Sequence, residues 1–201
     1  MLNDYKIVLA SNSPRRRELL AGLGLQFEVR VLPDIDESYP AQLPVYETAE
    51  YIARKKAAAY QKTMTPNELI ITADTVVIVG DEVLGKPADA NEARLMLRKL
   101  SGCTHHVMTG VCLTTLQQTS HFSVKTDVTF KPLTDEELTY YIKKHKPYDK
   151  AGAYGIQEWI GYIGCTGLNG SYYNVMGLPV QRIYSELQKF TRRHSLPDCR
   201  Q

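Results

Sequence analysis

The stretch Leu69-Ile70-Ile71-Thr72-Ala73-Asp74 restricts the fold of this chain more than any other. A run so nearly devoid of polar side chains reads as a strand buried on both faces, and such a strand belongs to a sheet covered on both sides. It continues as Thr75-Val76-Val77-Ile78-Val79, turns at Gly80-Asp81 and returns as Glu82-Val83-Leu84, a hairpin signal. Asp74 therefore stands among apolar neighbours, which is costly unless something pairs with it. A metal ion, a lysine, a catalytic proton or a structural ion pair would each serve.

A second stretch has a related shape. Ile7-Val8-Leu9-Ala10 reads as a buried strand, and Ser13-Pro14 as an N-cap followed by proline at the first helical position. The turn between them points free backbone N–H groups and the positive end of a helix dipole at one spot. Arg15, Arg16 and Arg17 fill that first turn, where cations oppose the dipole by about 0.3–1 kcal/mol each. Either a bound anion compensates them or they form a solvated basic face.

Between these landmarks, 27–32 alternates as a strand with one wet face, and Asp34, Asp36 and Glu37 make an acidic loop able to offer oxygen ligands to a divalent cation or simply to face water. Residues 45–61 read as a helix with Ile52 and Ala57-Ala58-Ala59 inward and Arg54-Lys55-Lys56 on the other side. Gly85-Lys86-Pro87 holds a lysine in a constrained loop, but the flanking residues of a P-loop are missing, which excludes that chemistry. Asp89 caps a helix to Leu100. Two β segments, 105–115 and 121–130, form an antiparallel pair; His105 and His106 fall on its opposite faces and read as structural. Thr134-Asp135-Glu136-Glu137 is a capping box opening a helix through Lys144. In 149–157 two glycines and two alanines let backbone approach a flat ligand. Then 160–165 reads as a strand, 168–171 as a turn, 178–192 as the last helix and 193–201 as a frayed tail.

With 201 residues, 43% of them hydrophobic, the chain can bury a sizeable core, as one domain or as two joined lobes. A formal charge of +2 gives no global field for nucleic acid or an anionic membrane. Cys103, Cys112, Cys165 and Cys199 have no metal-ligand spacing and suit reduced thiols; with neither a leader nor an apolar run of membrane length, the expected location is cytoplasmic.

Several motifs, in order, resemble the Maf family: Ala10-Ser11-Asn12-Ser13-Pro14-Arg15-Arg16, Ala53-Arg54-Lys55-Lys56-Ala57, Ala73-Asp74-Thr75, Gly85-Lys86-Pro87 with Asp89, Lys99-Leu100-Ser101-Gly102, Asp149 through Gln157, and Asn169-Gly170-Ser171-Tyr172 followed by Gly177-Leu178-Pro179. The resemblance implies an α/β, Maf-like fold related to the inosine triphosphate pyrophosphatases: an elongated, twisted mixed sheet with helices on both sides and a cleft between two lobes, all in one domain, 1–201. It implies hydrolysis of a nucleoside triphosphate to monophosphate and pyrophosphate with a divalent cation, Mg or Mn. Carried over by position, Asp74 would accept the proton of the attacking water and share the metal with Glu37. Ser13, Arg16, Lys56 and Lys86 would line the phosphates. Arg15, Thr75 and Gln157 match positions that separate subgroups, and here look like the one acting on dTTP and UTP, with modified pyrimidines as further substrates. Asn12 departs from the glycine or alanine common in relatives and leaves the geometry of that turn open.

The expected partner is thus a nucleotide, with no stable nucleic acid and no membrane, and a homodimer is left open. Two rivals compete. One is a nucleotide- or nucleic-acid-binding regulator of septum formation without turnover, suggested by the family's historical name, against which Asp74 and Glu37 argue because a nucleic-acid groove gains nothing from carboxylates. The other is a nucleotidyltransferase, which would favour a glycine-rich N-terminal loop that is absent.

Overall fold

Strands β1 (Lys6–Leu9), β2 (Phe27–Val29) and β3 (Glu68–Val79) open the chain's sheet, with β1 in the middle and parallel to both neighbours, in a computed structural model that describes residues 5–191. Helices α1 (Pro14–Ala21) and α2 (Thr48–Gln61) make the crossovers that parallel pairing demands. The rest is antiparallel. Short β4 (Glu82–Leu84) folds back along the end of β3, helix α3 (Ala90–Leu100) follows, and β5 (Thr104–Thr114) and β6 (Thr119–Phe130) extend the sheet beside β3. Helices α4 (Asp135–His145) and α5 (Trp159–Gly164) lead to β7 (Cys165–Asn169), the far edge, and α6 (Tyr172–Met176) and α7 (Val180–Thr191) close the described chain. The strand order is β2-β1-β3-β5-β6-β7, with β4 beside β3.

Helices cover both faces, as the apolar run requires. From β3, Leu69, Ile71 and Ala73 pack with Leu20, Ile183 and Leu187; Ile70, Val76 and Ile78 face the other way, toward Tyr60 and Ala49. Val77 joins a separate cluster with Leu97, Phe130 and Tyr141. Helix α2 lies directly on the sheet because β5 carries Gly110 beneath it: a Cβ there would stand 2.3 Å from the Ala49 carbonyl carbon. Thr72 then donates from Oγ1 to the Ala53 carbonyl at 2.7 Å.

One break in this frame prepares the site. Pairing with β1 stops at Leu9↔Ile71, and pairing with β4 starts at Val77↔Leu84. Residues 72–76 of β3 are therefore left without a strand on that side, so Asp74 and Thr75, which point to opposite faces, both border one gap.

Three expectations are corrected. Residues 160–165 are not a strand; α5 occupies them and the strand begins at Cys165 and runs to Asn169, through the expected turn. A short apolar run fits either element by periodicity. Gly161 selects the helix, since a Cβ there would lie 1.8 Å from the Ile156 carbonyl oxygen. The strand expected over 27–32 ends at Val29, leaving Val29 and Val31 exposed at the sheet edge. Ala58, expected inward, is exposed, whereas Lys56 is mostly covered. In the acidic loop, Asp36 is held by Lys55 at 2.6 Å while Glu37 turns to Lys56, and no group of three or more His, Cys, Asp or Glu is arranged for a metal among the described residues. No helix among those residues is long and apolar enough to cross a membrane. The tail at 193–201, Arg192 and Cys199 lie outside the described residues.

Candidate active site

Ser13 opens α1 as its N-cap, accepting from the Arg16 N–H at 3.4 Å. This sets Arg15 and Arg16 one after the other on the wall of the gap. The Arg16 guanidinium closes the free edge of β3: Nη1 donates to the Ala73 carbonyl at 2.9 Å, Nη2 to Thr75 Oγ1 at 3.0 Å and Nε to the Gly177 carbonyl at 2.8 Å. Burial pulls the Arg16 pKa below its ordinary value, against the opposing pull of Asp74. Arg15 reaches across the gap to Asp149, Nη1 to Oδ2 at 2.9 Å. Burial works against the Asp149 charge, but hydrogen bonds from Lys150 and Arg15 hold its carboxyl below the usual range.

On the other face, Lys56 comes from the third turn of α2. Its Nζ lies 2.8 Å from Asp74 Oδ1 and 3.1 Å from Glu37 Oε1, so one ammonium brings two carboxylates to the same point. Asp74 keeps 14% of its side-chain surface accessible, enough for a water to reach it. Lys86, exposed on the loop after β4, makes no hydrogen bond or ion pair among the described residues. Its loop is tied down by the Gly152 N–H donating to the Gly85 carbonyl at 3.0 Å.

The 149–157 segment forms the opposite wall. Gly152, with φ of 66°, sits so close to β3 that a Cβ would meet the Val77 side chain at 2.9 Å. Tyr154 stacks edge-on against His105 and Phe130 and shares a 2.8 Å hydrogen bond with His105 Nε2. Burial lowers the His105 pKa to about 4, so the ring is neutral. Gln157, like Tyr154, lines the cavity, and its Oε1 is buried without a hydrogen-bond partner.

Ser13, Arg15, Arg16, Lys56, Asp74, Thr75, Lys86 and Gln157 thus line one inner cavity of about 110 Å³. It adjoins an outer cleft of about 420 Å³, which Glu37 borders together with Ser13, Arg15, Arg16, Lys56 and Lys86. The inner part alone is below the usual size of a ligand pocket, and the outer part lies within it. All nine expected positions meet at these two connected spaces.

A profile of Maf-like proteins matches residues 6–190. This chain belongs to the Maf family. Among relatives in that family, a dTTP/UTP pyrophosphatase of Phocaeicola vulgatus is 62% identical over 188 residues, 94% of this chain and 97% of its own length. One of the same name from Parabacteroides distasonis is 60% identical over 94% of this chain and 98% of its own. Among solved structures, the Staphylococcus aureus Ham1 protein aligns at 16% identity and a TM-score of 0.47, over 62% of this chain and 71% of that one, a likeness too distant to carry weight.

Sequence reasoning overlooked several residues of this Maf site. Asp149 and Tyr154 were in view within the small-residue segment but without a part to play, because the partner of Asp149 lies 134 positions away. Gly177 belongs to the Gly177-Leu178-Pro179 motif, yet nothing in its neighbours signals that its carbonyl receives Arg16.

Proposed function

We propose that this Maf protein is a nucleoside triphosphate pyrophosphatase acting on dTTP and UTP, and on modified pyrimidine relatives, from a single domain spanning its length. One observation carries the reading: Gln157, whose amide oxygen is buried and unpartnered, lines the same cavity as Arg15, Arg16, Lys56 and Lys86. An orphaned acceptor is costly until a donor arrives, and the imide N–H of uracil or thymine is such a donor. The cations suit the triphosphate. The name carried by relatives at 62% and 60% identity supports the same substrate class.

In this reading Ser13, Arg16, Lys56 and Lys86 receive the phosphates and Arg15 leaves Asp149 to join them. Asp74 accepts a proton from a water that attacks the α-phosphorus, the bond from that phosphorus to the bridging oxygen breaks, and pyrophosphate departs with the electron pair. The cations neutralise the phosphate charge throughout, in the bound triphosphate and in the departing pyrophosphate alike. Asp74 and Glu37, both in contact with Lys56, form a hard-oxygen pair that suits Mg or Mn, which proteins hold through one or two carboxylates completed by phosphate oxygens. Such an ion would add charge neutralisation and polarise the water.

The test is a panel of nucleoside triphosphates with Mg and with Mn, read as pyrophosphate, on the native chain and on Gln157→Glu. UTP and dTTP should lead the panel, and the acid variant, which loses the amide donors and adds a negative charge, should shift the UTP-to-GTP ratio at least about tenfold. Orthophosphate as the product, a preference for 7-methyl-GTP, or an unchanged ratio would each defeat part of this reading.

A further inference from the structure

The contacts of Arg16 close into a ring that has a direction. Thr109 stands opposite Thr75 in the β3–β5 register, fully buried, with its Oγ1 3.0 Å from Thr75 Oγ1 and 3.1 Å from the Asn174 carbonyl oxygen. A carbonyl only accepts, so the single hydroxyl proton of Thr109 goes to Asn174. The contact between the two threonines then requires Thr75 to be the donor. With its one proton given away, Thr75 meets Arg16 Nη2 as an acceptor, which is the only role a guanidinium allows its partner. The same Asn174 carbonyl receives the Gly177 N–H at 3.0 Å, and the Gly177 carbonyl receives Arg16 Nε at 2.8 Å. Both arms of the ring therefore start at Arg16 and end on Asn174.

Asn174 is itself anchored by hydrogen bonds. It is fully buried, and the two protons of its Nδ2 are shared among the Val107 carbonyl at 3.2 Å, the Val124 carbonyl at 3.1 Å and Thr126 Oγ1 at 3.0 Å, which pins α6 to β5 and β6. The ring thus transfers the rigidity of the central sheet to one guanidinium at its open edge.

We propose that Thr109 is a positioning residue: by taking the proton of Thr75 it leaves Thr75 an acceptor and so fixes the plane in which Arg16 presents its remaining N–H groups to the phosphates. This rests on the pyrophosphatase reading for its kinetic consequence, though not for its geometry. Thr109→Val keeps the side-chain shape and removes the hydroxyl. The Thr75 proton then has no taker, and a freely turning hydroxyl no longer offers Arg16 a fixed lone pair. Because Arg16 would meet the phosphates in ground state and transition state alike, the loss should appear in KM more than in kcat.

Two measurements on Thr109→Val, Thr109→Ser and the native chain test this. The first is KM and kcat for UTP: KM should rise about tenfold in the valine variant, with kcat within about threefold, and the serine variant should stay within about twofold of native in both. The second is exchange of the Arg16 Nε–H with solvent by NMR, which needs no turnover and should be at least about tenfold faster in the valine variant alone. Thr109→Ala takes the place of the valine variant if that one does not fold. Native exchange and native KM in a hydroxyl-free variant would overturn the proposal. So would a serine variant as impaired as the valine one, because the methyl and not the hydroxyl would then matter. If the native chain cleaves no triphosphate, the pyrophosphatase reading fails and the exchange rates alone decide the role of Thr109.

Discussion

Replacing Asp74 by Asn changes almost no volume but removes one negative charge and one proton acceptor, and so separates an enzyme from a protein that only binds. General-base loss alone costs about 10²–10⁴-fold in rate, so pyrophosphate release by Asp74→Asn should fall at least that far. Nucleotide affinity without metal should hold or rise slightly, because Arg16, Lys56 and Lys86 remain and a nearby repulsive charge is gone. Near-native turnover would remove Asp74 from the mechanism, and lost affinity in a folded variant would make it a binding residue. Lys86 offers a simpler comparison. It is exposed and holds no protein partner among the described residues, so Lys86→Ala should leave the melting temperature within about 2 °C of native while raising KM for UTP about tenfold. An unchanged KM would take Lys86 out of the phosphate site. At this scale the sequence was informative about which residues carry charge and silent about their resting partners. Asp74 stands out by sitting at the end of an apolar run, and Lys56 answers it from 18 positions away. The ring through Thr75, Thr109, Asn174 and Gly177 left no trace, since threonines and asparagines on strands and short helices look alike whether they hold water or a guanidinium.

The element that carries Lys56 depends on a residue with no side chain. Helix α2 reaches the sheet only because Gly110 lets the Ala49–Glu50 peptide rest on β5, where a Cβ would meet backbone at 2.3 Å and 2.4 Å. Backbone cannot turn aside as a side chain does. Gly110→Ala should therefore push α2 outward and cost about 3 kcal/mol or more, above the common range for overpacking. Helix α2 also carries Lys56 into contact with Asp74, so activity should fall further than the loss of folded protein explains. Denaturant melts and specific activity corrected for the folded fraction would test this; a variant within about 1 kcal/mol of native with full activity would show that α2 has slack. The contrast with α5 explains what was legible among the elements. Buried strands β1 and β3 and the capped helices α1, α3 and α4 announce themselves through composition and through Ser13, Asp89 and Thr134, each of which accepts the expected backbone N–H. The segment of α5 is short, apolar and uncapped by a side chain, and only contact with Ile156, invisible in the sequence, decides its form.

Across the whole molecule, β5 and β6 run through both the cluster around Leu97, Phe130 and Tyr141 and the cluster around Leu113, Phe122 and Leu187. Neither cluster can lose its strands while the other keeps them, so the chain should unfold as one unit. Trp159, the single tryptophan, packs on Tyr140 with ring centroids 4.7 Å apart and reports on the first cluster, whereas circular dichroism reports on all elements. The two melts should coincide, and separate midpoints would divide the domain. Acid should unfold it along a path set by paired carboxylates, of which Glu68 is the most buried. Only 2% exposed, Glu68 accepts from Arg30 Nη1 at 3.0 Å and from the Thr65 N–H at 3.0 Å, and Arg30 Nη2 contacts its other oxygen, tying the start of β3 to the chain just beyond β2. The Arg30 hydrogen bonds outweigh burial and hold the Glu68 carboxyl at about 2, against an ordinary value of 4.5. A folded-state pKa below the unfolded one means that the unfolded chain takes up the proton first as pH falls. The stabilisation is therefore complete above pH of about 4.5 and disappears as pH drops toward about 2. The size of the shift corresponds to about 3 kcal/mol. Glu68→Gln should lose about that much at neutral pH and show a correspondingly shallower decline below pH of about 4.5, because its amide does not titrate. Urea melts of both chains between pH of about 7 and about 2 would show two curves converging at the acid end, and parallel curves would place the acid sensitivity elsewhere.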